Sequence, residues 1–440
     1  MINKKISLYL KLLFFYLLVL FSGCQNTTQT SNEKKLKVMM AGSEENIMLM
    51  DSVIKRFNQN FPEVKVQPVF IASASNWATY VNKFISSVAI GKGPDVFFAA
   101  IQGAEFAASK GVLFPLDSLI INDPRAEELL HDIAKPLIDA FVYDGLTYYF
   151  PESWNNMVIY YNTKLFDEAG VSYPKEDWTW EDFLETAKAL TKRDEDGNIE
   201  VWGYQLGLGS FSMSPWMLTN NTRILTKDWK HSNLNDPLVK EVFQFIYDLV
   251  YVHKVSPIPD FTRSSPPLFS NSRAAMTSCG HWCIFYYYDN NLYDFDVQYW
   301  PRNKSMKTNF GVGGWGISSK SNNKQLAWEF ILELVSKESM AQMAGFGNAI
   351  PARESTANLP IFLKHPKNSK IFYESIYASE PTPSPKSQVK FESIFNRYQA
   401  LIMTGTMPIE EALNEAHQSL ELIFERDLMK ENLLKKNKKN

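Results

Sequence analysis

The sequence predicts an α/β protein with at least two domains. Three short apolar segments that are typical of strands, 36–40, 64–70 and 96–100, alternate with segments of helical periodicity. This alternation is typical of a parallel sheet that is covered by helices on both faces. The chain has 440 residues, whereas a single hydrophobic core stops growing near ~250–300 residues, so more than one domain is expected.

The first helix is predicted directly after the first strand. Ile47, Met50, Ile54 and Phe57 lie at helical spacing, which predicts that they share one buried face. A second helix is expected around 80–89, and the turn at 91–95 then leads into the third strand.

The middle of the chain changes from this pattern. Residues 146–161 are strand-like and aromatic, with an interruption at 151–156. Thr179 and Asp182 have the spacing of a capping box, which predicts a helix start. Three apolar stripes at helical spacing follow, and the chain is mostly helical from 391 onward. The stripes are 180/183/184/187/190, 239/242/243/246/249 and 326/330/331/334/335.

The N-terminus has the pattern of an export signal. Lys4 and Lys5 precede an apolar segment at 12–21, which is too short for a membrane span of ~20 residues and suits a signal-peptide core. Its end, Ser22 and Gly23 before Cys24, resembles the lipobox of bacterial lipoproteins, with phenylalanine at position 21 where leucine is usual. This resemblance implies a signal peptide over 1–23 and lipid modification of Cys24; the alternative is an ordinary signal peptide with a chance cysteine. Residues 24–35 are polar and predict a solvated tether.

Composition excludes several classes of protein. A formal net charge of −3 gives no reason to expect a nucleic-acid partner, and the lysines of 431–440 predict a frayed basic tail. Beyond Cys24 the chain has Cys279 and Cys283, which is too few for a disulfide scaffold. These two cysteines either pair or stay reduced. With His281 they lack further ligands for a metal, so neither a metal site nor a cofactor is expected.

Several motifs occur in chain order and resemble those of one family. They are 91–96 (GKGPDV), 113–117 (LFPLD), 148–151 (YYFP), 159–166 (IYYNTKLF), 169–171 (AGV), the helix of 178–191, 274–282 (AAMTSCGHW), 313–317 (GGWGI) and 327–330 (AWEF). In these segments the chain resembles the extracellular solute-binding proteins of ABC transporters, specifically the large carbohydrate-binding family.

The resemblance implies a two-lobed, periplasmic-binding-protein-like fold with the ligand cleft between the lobes. The N-terminal lobe is expected over 36–146 and 308–345, and the C-terminal lobe over 147–307 and 346–430. The implied function is capture of a carbohydrate for the permease subunits of an ABC importer, by a monomer that acts outside the cytoplasm on a lipid anchor. This function needs no catalysis. The alternatives are an extracytoplasmic carbohydrate-active enzyme, an anchored adhesin or scaffold with the same fold, and a binding protein for a polyol or another polar solute.

Candidate ligand contacts are Trp, Tyr, Asp, Glu, Asn and Arg residues near the ends of predicted strands, because sugars offer an apolar ring face and a rim of hydroxyls. Ligand clefts of this class lie beyond the carboxyl ends of the strands. For each candidate the alternative is an ordinary structural role, namely core packing for the tryptophans and helix-dipole stabilisation for the glutamates. The candidates are Trp282, Trp154, Trp315, Trp77, Trp216, Asn155, Glu44 and Glu45.

Overall fold

The computed structural model describes residues 34–72, 77–259, 267–347 and 349–439. The predicted signal peptide, Cys24 and the tether up to residue 33 lie outside the described residues. Residues 34 and 35, which were expected to end the tether, are the first residues of strand β1 (Lys34–Gly42).

The first sheet has eight strands and confirms the predicted alternation of strand and helix. Its order is β14-β7-β13-β3-β1-β2, and β4 and β15 also pair with β13. β1 runs parallel to β2 and β3, whereas β13 is antiparallel to both β3 and β7, so the sheet is mixed. Its strands are β1 (Lys34–Gly42), β2 (Val64–Ala72), β3 (Val96–Ala100), β4 (Leu113–Phe114), β7 (Phe150–Asn156), β13 (Thr308–Ser318), β14 (Ile350–Pro351) and β15 (Ser379–Pro381).

The part of the chain built on this sheet is called the first lobe. A two-stranded hairpin of β5 (Val142–Tyr143) and β6 (Leu146–Thr147) precedes β7. The helices that come between these strands are α1 (Glu44–Asn60), α2 (Trp77–Ala89), α3 (Ile101–Ser109), α4 (Asp117–Ile121), α5 (Pro124–His131), α6 (Lys135–Asp139), α13 (Lys324–Leu334), α14 (Lys337–Phe346), α15 (Glu354–Ala357), α16 (Pro360–Leu363) and α17 (Lys370–Glu374), and a 3₁₀ turn spans Ser375–Ala378.

The second lobe is built on a five-stranded sheet of order β12-β8-β11-β10-β9. Its strands are β8 (Val158–Asn162), β9 (Lys192–Arg193), β10 (Ile199–Gln205), β11 (Ala274–Cys279) and β12 (Phe295–Gln298). Its helices are α7 (Thr163–Ala169), α8 (Trp180–Leu190), α9 (Ser210–Thr219), α10 (Pro237–Tyr251), α11 (Pro267–Ser270), α12 (Cys283–Asp289), α18 (Gln388–Met403) and α19 (Ile409–Lys439).

The chain crosses between the two sheets at 156–158, where β7 leads into β8, and again between β12 and β13. β7 was expected in the second lobe, yet it pairs with β13 in the first sheet. Residues 350–381 serve both lobes. Their strands pair in the first sheet, while Phe362 and Phe372 pack against His281 of the second lobe. Because β7 belongs to the first sheet and β8 to the second, we propose that the first boundary between the lobes lies at 156–158.

Two local predictions have definite outcomes. The capping box is present, since the Thr179 side chain accepts from the Asp182 N–H and Asp182 accepts from the Thr179 N–H. The predicted face of α1 is partly wrong, because Met50 and Phe57 are buried but Ile47 is 42% exposed. Leu49 and Val53 are buried in its place.

The C-terminal end is helical where a frayed tail was expected. α19 continues to Lys439, because no Gly or Pro interrupts the chain after Ile409. At residue 431 it also contacts the chain ahead of α18, since Lys386 Nζ lies 2.7 Å from Glu431 Oε1.

Candidate functional site

A cavity of about 980 Å³ lies between the two lobes. This volume is at the upper end of the ~300–1,000 Å³ that is usual for ligand pockets. Both sheets contribute to its wall at strand ends, as expected for α/β sheets. The described residues that line it are Trp77, Phe98, Ala100, Gln102, Ser153, Trp154, Asn155, Met157, Gln205, Leu206, Gly207, Leu208, Gly209, Phe211, Ser212, Pro267, Thr277, Ser278, Cys279, Trp282, Gly311, Val312, Gly313, Ser393, Asn396, Arg397, Gln399 and Ala400.

Aromatic rings line the cavity from both lobes. Trp77 begins α2 in the first lobe, and its ring centroid lies 5.9 Å from that of Phe98 on β3. In the second lobe, Phe211 and Trp282 have ring centroids 5.7 Å apart. A ligand between the lobes can therefore contact aromatic faces on two sides.

The position of Trp282 depends on the absence of a side chain at Gly280. A Cβ on Gly280 would lie 1.9 Å from Cζ3 of Trp282, so the indole ring occupies the space that any other side chain would need. Cys279 and Cys283 form a disulfide that spans this segment, which settles the pairing that the sequence left open. Trp282 itself is partly exposed, and it packs against two separate hydrophobic clusters of buried residues.

Several lining residues carry hydrogen-bonding groups with no partner in the described part of the chain. Trp154 Nε1, Asn155 Oδ1 and Gln399 Nε2 are buried and unpaired. An unsatisfied buried polar atom costs ~1–3 kcal/mol, so a polar ligand that reaches these atoms would remove that cost.

The charge of the described lining is carried by Arg397 of α18, with no Asp or Glu among those residues. Glu152 lies behind the wall, next to the lining residue Ser153. It is 5% exposed and accepts from Trp315 Nε1 at 2.8 Å. Burial raises the pKa of Glu152 to about 7.

Four of the eight candidate residues line the cavity, namely Trp282, Trp154, Trp77 and Asn155. Trp77 and Trp282 approach it from opposite lobes, whereas Trp154 and Asn155 lie on β7 near the crossing. The structure therefore brings these four side chains together around one space.

The other four candidates lie elsewhere. Trp315 is fully buried behind the cavity wall, and its ring centroid lies 5.1 Å from that of Phe98. Trp216 is fully buried in the core of the second lobe. Glu44 and Glu45 occupy the first turn of α1, outside the cavity lining. None of these four lines the cavity.

Sequence reasoning missed most of the polar wall. Gln102 follows strand β3 and Gln205 ends strand β10, so the position of each relative to a strand is a signal that marks it, although glutamine is not among the residue types expected there. Asn396, Arg397 and Gln399 come from α18, and local sequence does not show which face of a helix borders a cleft.

Within the described residues, no group of three His, Cys, Asp or Glu side chains is arranged to hold a metal ion. The sulfur atoms of Cys279 and Cys283 are joined to each other. No helix in the described ranges combines the length and apolarity needed to span a membrane.

The model of the bacterial extracellular solute-binding protein family matches residues 52–370. The chain belongs to this family. Membership places this solute-binding protein outside the cytoplasm and agrees with its two-lobed α/β fold.

Individual relatives cover most of the chain. The arabinooligosaccharide-binding protein of Halalkalibacterium halodurans is 22% identical over 418 residues, which is 86% of this chain and 87% of that protein. The maltotriose-binding protein of Pyrococcus abyssi is 24% identical over 299 residues, which is 65% of this chain and 60% of that protein. These relatives are binding proteins rather than enzymes.

Among solved structures, the chain is similar to an ABC substrate-binding protein of Listeria monocytogenes in complex with cycloalternan. The two are 28% identical with a TM-score of 0.78, and the match covers 89% of this chain and 99% of that one.

Proposed function

We propose that this solute-binding protein captures an oligosaccharide in the interlobe cavity and delivers it to the permease subunits of an ABC importer. The observation that carries the proposal is the cavity itself, which combines aromatic faces from both lobes with unpaired polar groups. Sugars need both kinds of contact. The relatives that bind arabinooligosaccharide and maltotriose support the same class of ligand.

Binding is proposed to act through closure of the two lobes. A ligand that contacts Trp77 in the first lobe and Trp282 in the second gains both contacts only when the lobes are close. Such a ligand shifts the population toward the closed form by its difference in affinity for the two forms. The closed shape would then be what the permease recognises.

A lipid anchor at Cys24 and a monomeric state complete the proposal. The anchor is supported by the lipobox-like sequence, and it would hold the protein near its permease. Metabolic labelling with a palmitate analogue tests it, since labelling of the wild-type chain and not of a Cys24→Ala variant is expected. Equal labelling of both chains would refute the anchor.

The experiment that tests the function is a thermal-shift and tryptophan-fluorescence titration of the purified protein with mono- and oligosaccharides. A ligand at ~100 times its Kd should stabilise the protein by ~2.7 kcal/mol. Trp282→Ala should weaken the best sugar by ~1 kcal/mol or more, the usual contribution of an aromatic contact. Tyr377→Ala, at a residue that is 72% exposed and outside the cavity lining, is the control. If no sugar shifts the melting curve, the proposal fails.

The enzyme alternative is tested with the same protein and a panel of glycosides. Glycoside hydrolysis commonly needs two carboxyl groups that flank the scissile bond, and the described lining supplies none. Turnover that a single carboxylate substitution abolishes would overturn the binding-protein proposal. The scaffold alternative predicts a cleft filled by the protein's own side chains, which the open cavity disfavours.

A further inference from the structure

Two glutamines of the cavity wall each leave a hydrogen-bond donor for a ligand. The side-chain oxygen of Gln205 accepts from the backbone N–H groups of Leu268 and Phe269, at 3.0 and 3.1 Å. The side-chain oxygen of Gln399 accepts from the Gly209 N–H at 2.9 Å. Because both oxygens are occupied, each side chain has its NH₂ group left for a ligand. Gln399 is 2% exposed and its Nε2 has no partner in the described chain.

Arg397 adds a positive charge to the same wall. It lies on α18, two residues before Gln399, and lines the cavity. No carboxylate of the described residues lies within ion-pair distance of its guanidinium. The guanidinium carbon Cζ lies 5.3 Å from the centroid of the Tyr398 ring. The guanidinium is therefore available to a ligand.

Glu392 is a nearby acid on α18, and it does not offset this charge. Its Oε1 accepts from Ser210 Oγ at 2.5 Å and from Gln388 Nε2 at 3.0 Å. Burial raises the pKa of Glu392, which disfavours its charged form. Glu392 is also absent from the described lining, so the wall formed by α18 keeps the positive charge of Arg397.

The chemistry of this wall points to an acidic sugar. The guanidinium of Arg397 and the NH₂ groups of Gln205 and Gln399 are donors, and Asn155 Oδ1 is an unpaired acceptor that can serve a sugar hydroxyl. An ionised carboxylate only accepts, and it pairs with a guanidinium through charge-assisted hydrogen bonds. A uronate carries one negative charge, which one arginine matches. A phosphate ester carries about −1.5 to −2 and would leave charge uncompensated.

We propose that the ligand is an acidic oligosaccharide whose uronate carboxylate is bound by the exposed guanidinium of Arg397, while the NH₂ group of Gln399 donates to another oxygen of the same ligand. This inference rests on the proposed sugar-binding function and adds the ligand's charge. A ligand oxygen replaces the missing partner of Gln399 Nε2, and the aromatic rings of the cavity receive the sugar faces.

Calorimetric titration with matched ligands tests the inference. Trigalacturonate is compared with galactotriose, which differs in having CH₂OH in place of each carboxylate, and galactose 6-phosphate is compared with galacturonate. The wild-type protein should bind trigalacturonate at least fivefold more tightly than galactotriose. Arg397→Gln should remove this preference. Arg426→Gln, which removes an exposed arginine of α19 outside the described lining, should retain it.

The outcomes separate the inference from the function on which it rests. Equal or tighter binding of galactotriose would overturn the acidic ligand and leave sugar binding intact. A preference for trigalacturonate that persists in Arg397→Gln would overturn the role of Arg397. Tighter binding of the phosphate ester than of galacturonate would overturn the carboxylate in favour of phosphate. If neither the neutral nor the acidic oligosaccharides bind, the proposed function fails and the inference with it.

Discussion

Replacing Glu152 with glutamine is expected to change how stability depends on pH. Glu152 is 5% exposed, and burial raises its pKa from the ordinary value of 4.5 to about 7. Between these two values the folded protein holds a proton that the unfolded chain has released. The free energy of unfolding should therefore fall as the pH rises through this window and stay low above it.

The size of this effect follows from the pKa difference. A rise from 4.5 to about 7 corresponds to roughly 3 kcal/mol at ~1.4 kcal/mol for each pKa unit. Glutamine does not titrate and keeps an oxygen that can accept from Trp315 Nε1. The variant should therefore lack this loss of stability, and the difference between the two proteins should grow in its favour by about 3 kcal/mol between pH 4.5 and pH 8.

Urea denaturation, followed by fluorescence and circular dichroism at each pH, measures this difference. Packing changes caused by the substitution do not depend on pH, so they shift the whole curve without changing its slope. The exposed Glu63→Gln variant controls for the loss of one carboxylate as such. A difference between wild type and Glu152→Gln that stays constant to within ~0.5 kcal/mol across this range would refute the reasoning.

Three further substitutions test how the site and one helix are built. Gly280→Ala should displace the Trp282 ring, because the new Cβ would lie 1.9 Å from it. Urea denaturation should show a loss of ~1–3 kcal/mol of stability, and calorimetry should show weaker sugar binding. Unchanged affinity would show that the position of the Trp282 ring is unimportant for binding. Replacing Cys279 and Cys283 together with alanine should lower stability by about 2 kcal/mol for so short a loop and weaken binding, and a variant that binds as tightly as wild type would exclude a positioning role for the disulfide. Thr179→Ala removes the capping box and should cost ~1 kcal/mol in thermal or urea unfolding without changing affinity; a loss of affinity would contradict a purely local role.

Local sequence patterns predicted the elements that depend on near neighbours. The apolar run at 96–100 became strand β3, and Thr179 with Asp182 became a cap, because both depend on residues adjacent in the chain. The pattern of Ile47 was misleading, since helical spacing gives a face but not which edge of that face meets the core. At the C-terminus, the lysine-rich composition suggested a frayed end, although the chain has no residue there that stops a helix.

Tryptophan contexts show the limit of the sequence most clearly. Trp282 comes two residues after Gly280 and Trp216 directly after Pro215, yet one lines the cavity and the other is fully buried. Whether an indole faces solvent or core depends on the elements that pack around it, and for Trp216 these include the rings of Trp180 and Trp300. Local sequence does not encode that choice.

The sequence by itself determined the α/β class, the family and the presence of aromatic groups suited to a sugar, because each depends on composition or on the order of local motifs. The tertiary structure decided the cleft. It placed Arg397 and Gln399 in the lining of the same cavity as Trp154, although more than two hundred residues separate them from it along the chain. It also turned both glutamine oxygens toward backbone N–H groups. Charge and donor balance in a site are properties of side chains brought together by folding, and so the expected acidity of the ligand became visible only there.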